Sequence, residues 1–355
     1  MTFVDRMLGF VTDDPRKSLL VEMHGVTKVP TPNSDTSDRI GRARGFLRAQ
    51  GVVKGDRVVL VAPNSARWVA ADLAILAEGA ISVPMYARQA PAELAEMMHD
   101  AEPRVVIASD DALAEAIRGE WPEAPLVTFE ALFRGDVIAE PAVSRADDDV
   151  ATIIYTSGTS GAAKGVMLTM ANIDAMLPTV TASLERLMGK RGEDDVVFHY
   201  LPFCFAGSRI VLWTCLYRNN PIHMSTDLND LKTEFTAARP HYFLNVPTLL
   251  ERIKNGVEDN LMDQNPAVVA LYERAKRAYR RDVCGRGRVA DGMILAAARA
   301  LIFNKIKAKI GPRLECLICG SAPLGEDTQV WFEMLGIPVY QVYGLTETTA
   351  IATMD

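Results

Sequence analysis

The segment 152–165, TIIYTSGTSGAAKG, has the residue types best suited to chemistry in this chain. Gly158 and Gly161 let the backbone adopt unusual dihedral angles and approach a ligand closely. Successive backbone N–H groups in such a turn form a site for an anion. Further donors are the hydroxyl groups of Thr156, Ser157, Thr159 and Ser160. Lys164 adds a fixed positive charge, so the segment is predicted to bind a polyphosphate.

This segment differs from a Walker A loop, in which Gly directly precedes the Lys and Ser or Thr follows it. Here Lys164 lies between Ala163 and Gly165. A turn rich in Ser and Gly is a plain linker in most proteins. The β-type runs on both sides and the closing lysine favour a binding loop instead.

Strand-like and helix-like segments alternate around this loop. A helix capped by Asn64 follows the first predicted strand, and Pro91 opens another helix. The predicted strands are Arg57–Val61, Ile81–Met85, Arg104–Ala108, Thr152–Tyr155, Gly165–Thr169 and Val196–Leu201, with a long helix ending near Met188. This alternation predicts βαβ units and an α/β fold with a largely parallel sheet.

The composition is that of a globular protein. The chain has 355 residues, 49% of them apolar, and a net charge of −7, which argues against nucleic acid as a partner. No apolar run approaches the roughly 18 residues that a spanning helix needs. Five cysteines form no evenly spaced framework, so a reduced cytoplasmic setting is expected.

Two parts of the chain are predicted to be subdomains. The segment 134–149 is polar and acidic and is interpreted as their connection. The expected boundaries are 1–148 for a first α/β subdomain and 149–355 for a nucleotide-binding α/β subdomain that is incomplete at its C-terminal end.

Residues 254–313 are helical in pattern and basic. The basic residues crowd together at Arg274, Lys276, Arg277, Arg280, Arg281, Arg286 and Arg288. Such a cluster is commonly a solvated helical face. The alternative is a peripheral contact with a membrane or an acidic ligand through the segment 274–288, because a basic amphipathic helix binds anionic lipid.

Four segments, in order, resemble the adenylate-forming superfamily of acyl-CoA synthetases, luciferases and adenylation domains. They are GDRVVLVAPNSARWVAADLAILAEGAISVPMY (55–86), the loop 152–165, CGSAPL (319–324) and QVYGLTET (341–348). The resemblance implies the large N-terminal domain of that fold, with two stacked, mostly parallel sheets flanked by helices; both subdomains then belong to one AMP-binding domain. RPHYFLNVPTLLERI (239–253), followed by the basic insertion, looks most like the long-chain fatty-acid–CoA ligases.

The resemblance implies a role for each matching residue. The loop from Thr156 to Gly161, with Lys164, would hold the β- and γ-phosphates of ATP. Thr346 would hold the α-phosphate, and Glu347 would bind Mg²⁺, so that Thr346, Glu347 and Lys164 form the catalytic set. The adenine would lie between Tyr343 and a wall made of Gly320, Ser321, Ala322 and Pro323. The acyl group would contact Phe205, Asn245, Val246 and Gly344.

One of these positions departs from the family pattern. In LPFCFAGSR, many long-chain ligases have His where Phe205 stands and an acidic residue where Ser208 stands. The phenylalanine offers the acyl carboxylate no polar partner, so a different preferred acid or rate is expected.

The implied activity is the ATP-dependent conversion of a fatty acid to an acyl-adenylate and then to acyl-CoA, with Mg²⁺ as cofactor and CoA as second substrate. The chain ends seven residues after Thr348, and the family's Thr-Gly-Asp motif and small C-terminal domain with its catalytic lysine have no counterpart. We therefore expect the adenylating core alone. The alternatives are a fatty acyl-AMP ligase that serves a carrier protein and a non-catalytic protein that retains an acyl or nucleotide pocket.

Other signals are weaker. Cys316 and Cys319 form a CxxC without further zinc ligands, and their strand-like context predicts buried packing. Residues 285–290, GRGRVA, fit a dinucleotide pattern but follow a basic helix instead of a strand, so that function is rejected.

Overall fold

The computed structural model describes residues 1–157, 163–189 and 194–354. The chain divides into two compact units. Unit 1 comprises Met1–Asp195, His199–Glu234 and Leu345–Ile351, and unit 2 comprises Val196–Phe198, Phe235–Gly344 and Ala352–Asp355.

The strands are short. In chain order they are β1 Leu20–His24, β2 Thr27–Thr31, β3 Arg57–Val61, β4 Ile81–Met85, β5 Val105–Ala108, β6 Leu126–Thr128, β7 Val150–Ser157, β8 Ala163–Thr169, β9 Val197–His199, β10 Ile222–Ser225, β11 Leu244–Asn245, β12 Leu317–Cys319, β13 Val339–Tyr343 and β14 Thr353–Met354.

Helices alternate with these strands. They are α1 Phe3–Asp13, α2 Asn33–Ala49, α3 Ala66–Ala77, α4 Pro91–Ala101, α5 Asp111–Glu120, α6 Phe129–Leu132, α7 Met170–Met188, α8 Ala206–Tyr217, α9 Leu231–Ala238, α10 Pro247–Met262, α11 Pro266–Val283, α12 Val289–Ala298, α13 Asn304–Ile310 and α14 Glu326–Met334. A π-helical turn, Arg299–Phe303, joins α12 to α13, and a 3₁₀ turn spans Thr346–Thr348.

A six-stranded sheet forms the centre of unit 1. Its order is β6-β5-β3-β4-β7-β8, with parallel pairing everywhere except between β7 and β8, which are antiparallel. Helix α3 is buried on nearly every side: all of its residues except Arg67 are buried. The α/β class and the βαβ units predicted from the sequence are confirmed.

Within the described ranges the strands fall into three hydrogen-bonded sheets, one more than the two that the resemblance implied. In unit 1, β1 pairs antiparallel with β2 and parallel with β10, and these three strands belong to a four-stranded sheet. In unit 2, β11, β12 and β13 are parallel neighbours, and β14 pairs antiparallel with β13. The predicted subdomain boundary after residue 148 stays a prediction.

The N-terminal cap of α3 differs from the prediction. Ser65, not Asn64, is the cap, because its side-chain oxygen accepts a hydrogen bond from the backbone N–H of Trp68. Asn64 instead hydrogen-bonds to the backbone of Leu201 and Phe203.

A polar cluster joins three helices of unit 2. The Tyr272 hydroxyl of α11 donates to Glu258 of α10 at 2.7 Å and accepts from the indole N–H of Trp331 of α14 at 2.7 Å. Burial alone would raise the pKa of Glu258, but hydrogen bonds from Lys276, Tyr272 and Lys254 lower it to about 2. The carboxylate is therefore charged and fixes the helices of the basic insertion in place.

Within the described ranges, no helix has the length and apolar character needed to cross a membrane.

Candidate active site

The predicted phosphate loop is carried by the hairpin of β7 and β8. Thr156 lies directly opposite Lys164, so their side chains project from the same face of the hairpin. Lys164 is exposed, and no ion pair to it occurs among the described residues. Its charge is therefore available to an anion.

Most of the predicted phosphate loop falls outside the described residues. Gly158, Thr159, Ser160 and Gly161 lie outside the described residues, as does the side chain of Ser157. The backbone of Ser157 ends β7 opposite Ala163, so both ends of the loop are fixed by the ladder. The roles of these residues stay predictions.

Packing explains why a glycine, Gly165, follows Lys164. It pairs with Tyr155 across the hairpin, and a Cβ atom at this position would lie 2.7 Å from Cγ2 of Ile153 and 3.3 Å from Cζ of Tyr155. The Tyr155 ring therefore occupies the space next to this glycine. The Tyr155 hydroxyl donates to Asp100 of α4 at 2.6 Å, which ties β7 to that helix.

A buried polar network connects β7 to β4, α3 and α8. Thr152 donates from Oγ1 to the backbone oxygen of Ser82 at 2.7 Å, and Ser82 donates from Oγ to Asp72 at 2.6 Å. Arg209 donates to the same Asp72 oxygen at 2.6 Å, and its guanidinium lies 4.4 Å from the Trp213 ring centroid. The side chains of Arg209 and Asp72 are 0% and 1% exposed, so the two charges compensate each other without water.

The Thr346–Glu347 turn lies in the same unit as the hairpin and contacts β8. Glu347 is exposed, and no ion pair to it occurs in the described part of the chain. The two residues that follow the turn, Thr349 and Ala350, have φ of 59° and 78°. A positive φ strains the backbone of a residue other than glycine, and such strain is frequent in functional turns.

The predicted adenine wall and Tyr343 belong to unit 2. Cys319 at the end of β12 is opposite Gln341 of β13 in a parallel pair, so Gly320 and Tyr343 emerge at the same carboxyl edge. Gly320 is required there because a Cβ atom would lie 2.6 Å from Cγ2 of Val342. Ser321, Ala322, Pro323 and Tyr343 are exposed. Ligands of α/β sheets commonly bind at such carboxyl edges.

The predicted acyl-contacting residues divide between the units. Asn245 ends β11 opposite Cys319 and is fully buried; its amide nitrogen donates to the backbone oxygen of Phe243, and its side-chain oxygen has no partner in the described structure. Val246 caps α10, and Gly344 follows β13. Burial raises the pKa of the Cys319 thiol to about 11, so it is protonated at neutral pH.

Phe205 lies in unit 1, at the N-terminal end of α8. Its side chain is 47% exposed and its ring centroid lies 5.9 Å from that of Tyr86. Tyr86 and Cys204 line a cavity of about 70 Å³. Burial raises the pKa of the Cys204 thiol to about 12, which excludes a thiolate nucleophile beside Phe205 at neutral pH.

Asn64 fixes the segment that carries Phe205, a role that sequence reasoning missed. Its amide nitrogen donates to the backbone oxygen of Leu201 at 2.8 Å, and its side-chain oxygen accepts from the backbone N–H of Phe203 at 2.9 Å. Asn64 and Phe203 are 139 residues apart, so no local pattern could have indicated this contact.

His199 precedes this segment and gives a testable dependence of stability on pH. The ring is fully buried and stacks on Phe203 with a centroid distance of 5.1 Å. Burial lowers its pKa from 6.5 to about 4, so the folded state favours the neutral ring. This contribution to the free energy of unfolding is complete above pH 6.5 and is lost as the pH falls from 6.5 to 4, by at most about 3 kcal/mol.

Urea unfolding at several pH values measures this loss. His199→Phe should flatten the dependence over that window, whereas His24→Phe, at an exposed ring, should leave it unchanged. An unaltered slope in His199→Phe would assign the pH dependence to other groups.

The CxxC cysteines are buried, as predicted, and no group of three metal-ligating side chains occurs in the ranges that the structure describes.

The AMP-binding enzyme family matches residues 34–355, and the chain belongs to that family. Its relatives include the long-chain-fatty-acid–CoA ligase FadD15 of Mycobacterium bovis, 27% identical over 89% of this chain and 56% of the relative. The peroxisomal long chain acyl-CoA synthetase 7 of Arabidopsis thaliana is 28% identical over 90% of this chain and 48% of the relative.

Solved structures confirm the fold. The N-terminal domain of FACL13 from Mycobacterium tuberculosis has a TM-score of 0.71 at 22% identity, with 100% of this chain and 78% of that chain covered. The benzoate CoA ligase of Burkholderia xenovorans LB400 has a TM-score of 0.71 at 19% identity, with 100% and 63% covered. The chain thus spans about half the length of the relatives to which it is similar in sequence.

Proposed function

We propose that this chain is the adenylating core of an AMP-forming long-chain fatty-acid–CoA ligase. Relatives named long-chain-fatty-acid–CoA ligase match 89% of the chain, which supports a fatty acid, ATP and CoA as substrates. The observation that carries the proposal is the position of Lys164 beside Thr156 on a hairpin that contacts the Thr346–Glu347 turn.

The proposed first step is a displacement at phosphorus. A carboxylate oxygen of the fatty acid forms a bond to the α-phosphorus of ATP, the bond from that phosphorus to the bridging oxygen breaks, and pyrophosphate leaves with the electron pair. Lys164 and the backbone N–H groups of the loop hold the departing phosphates, and Thr346 orients the α-phosphate. Positioning and fixed charge dominate catalysis in such a reaction, and no side-chain nucleophile is needed.

Glu347 suits the proposed Mg²⁺ site. Mg²⁺ bound to nucleotides takes one or two carboxylates together with phosphate oxygens and water. The Glu347 carboxylate is exposed and free of ion pairs among the described residues, so it is available as that ligand. When bound, Mg²⁺ neutralises charge on the phosphates.

The proposed second step transfers the acyl group to the CoA thiol, which forms the thioester and releases AMP. Adenine contact with Gly320–Pro323 and Tyr343, and acyl contact with Phe205, Asn245, Val246 and Gly344, are parts of the same proposal. So are the cytoplasm as location and a peripheral membrane contact through the basic segment 274–288.

Calorimetric titration of the 355-residue chain with non-hydrolysable acyl-adenylate mimics tests the proposal. Affinity should rise about fourfold for each methylene that is buried, because burial of one methylene contributes about 0.8 kcal/mol. AMP and the free fatty acid are the controls. Equal affinity for short and long mimics, or no binding by a folded chain, would contradict a fatty-acyl pocket.

A further inference from the structure

The most unusual surface in the described structure is one side of α12. Val289 is 92% exposed and Met293 is 68% exposed, one helical turn apart. Leu301, in the π-helical turn that continues the helix, is 59% exposed. Ala296, Ala297 and Ala300 between them are exposed as well.

The opposite side of this helix packs inward. Asp291, Ala298 and Ile302 are buried, and Asp291 accepts hydrogen bonds from Arg281 of α11. The outward side is therefore an apolar stripe that the helix leaves in water while it is anchored from behind. We name Val289, Met293 and Leu301 the α12 stripe.

Basic residues precede and follow the α12 stripe along the chain. Segment 277–309 has nine basic and two acidic residues in a chain whose net charge is −7. Arg280 and Arg281 are paired with Asp327 and Asp291, so their charges are compensated locally. Arg286, Arg299 and Lys305 are exposed and form no ion pair with any described residue.

The two acidic residues still leave segment 277–309 with seven more basic than acidic residues. Asp291 is buried in its pair with Arg281, and Asp282 is exposed at the C-terminal end of α11. An exposed apolar stripe bordered by unpaired arginines and a lysine is the pattern of a helix that lies in the interface of an anionic membrane.

We propose that the α12 stripe inserts into the surface of an anionic lipid bilayer, with Arg286, Arg299 and Lys305 against the headgroups. Apolar side chains of this kind enter the boundary between headgroups and acyl chains, and each neighbouring cation adds attraction to anionic lipid. A purely electrostatic contact would not explain the exposed Val, Met and Leu side chains. A purely apolar partner would not explain the basic residues beside them.

This inference deepens the membrane contact proposed above by naming its surface and lipid class, and it rests on that part of the proposed function. It is independent of acyl-adenylate chemistry. Vesicle binding and mimic binding are measured separately, so either can fail without the other.

Flotation with two kinds of vesicle tests the proposal. The 355-residue chain should bind vesicles of equal parts phosphatidylcholine and phosphatidylglycerol, bind phosphatidylcholine vesicles much more weakly, and detach as salt is raised. Met293→Gln should reduce the affinity roughly tenfold, since the polar side chain no longer enters the bilayer. The double variant Arg286→Gln/Arg299→Gln should reduce it roughly 30-fold.

Matched variants test whether the loss of vesicle binding is specific to the α12 stripe and its neighbouring cations. Met293→Leu should retain binding. Val26→Gln, at a position 74% exposed in unit 1, and Arg118→Gln, on the exposed face of α5, should bind as the unaltered chain does. Circular dichroism establishes that each variant is folded.

Several results would overturn the proposal. They are no vesicle binding by the folded chain, equal binding to neutral vesicles, or unchanged binding by Met293→Gln. A dimer in light scattering that Met293→Gln dissociates would assign the stripe to a second copy of this chain instead.

Discussion

Lys164→Ala is expected to weaken ATP binding by about 10- to 100-fold while it leaves the affinity for an acyl-adenylate mimic unchanged. The lysine is proposed to contact only the β- and γ-phosphates, which the mimic lacks. A hydrogen bond to a charged group contributes about 1.5–3 kcal/mol, which corresponds to this range of affinity. Calorimetric titration with both ligands measures the difference.

Lys305→Ala is the matched control, because Lys305 is an exposed lysine of α13. It should leave both affinities as they are. If Lys164→Ala weakens the binding of ATP and of the mimic equally, the lysine organises the whole pocket. If it weakens the binding of neither, the lysine is not part of the phosphate site.

Asp72→Ala should lower the free energy of unfolding by about 3–5 kcal/mol. The substitution leaves the Arg209 guanidinium buried without its carboxylate, and an uncompensated buried charge is strongly destabilising. Burial already lowers the pKa of Arg209. Urea unfolding followed by circular dichroism measures the loss.

Two comparisons separate this effect from a general loss of packing. The double variant Asp72→Ala/Arg209→Met should be more stable than Asp72→Ala alone, because it removes the charge that was left unpaired. Glu130→Ala breaks an exposed pair with Arg134 and should cost less than about 1 kcal/mol. A double variant no more stable than Asp72→Ala would show that the charge pair is not the cause.

The sequence predicted the local parts of the fold well. The bounds of β3 and β4 agree with the predicted runs Arg57–Val61 and Ile81–Met85, because each is a short apolar run that is buried in the sheet. The first turn of α4 at Pro91 also agrees, since proline fits the first position of a helix.

Long-range contacts could not be predicted. Asn64 has the right type for a helix cap, but its amide finds two backbone partners near residue 202 and leaves the cap to Ser65. Arg209 follows the segment predicted to contact the acyl group, and nothing in its neighbourhood indicated that it pairs with Asp72. Three of the seven basic residues between 274 and 288 are in ion pairs, which a charge pattern alone does not reveal.

The buried network of β7, β4, α3 and α8 is also assembled in a fixed order as the chain is synthesised. Asp72 and Arg209 are 137 residues apart, so Asp72, Ser82 and Thr152 leave the ribosome before Arg209 has been made. At elongation rates of about 5 to 20 residues per second, the delay between the two charged residues is roughly 7 to 27 s. During that interval the Asp72 carboxylate of α3 lacks the arginine with which it pairs in the folded chain. The hydrogen-bonded support of the β7–β8 hairpin is therefore completed only when α8 has been made.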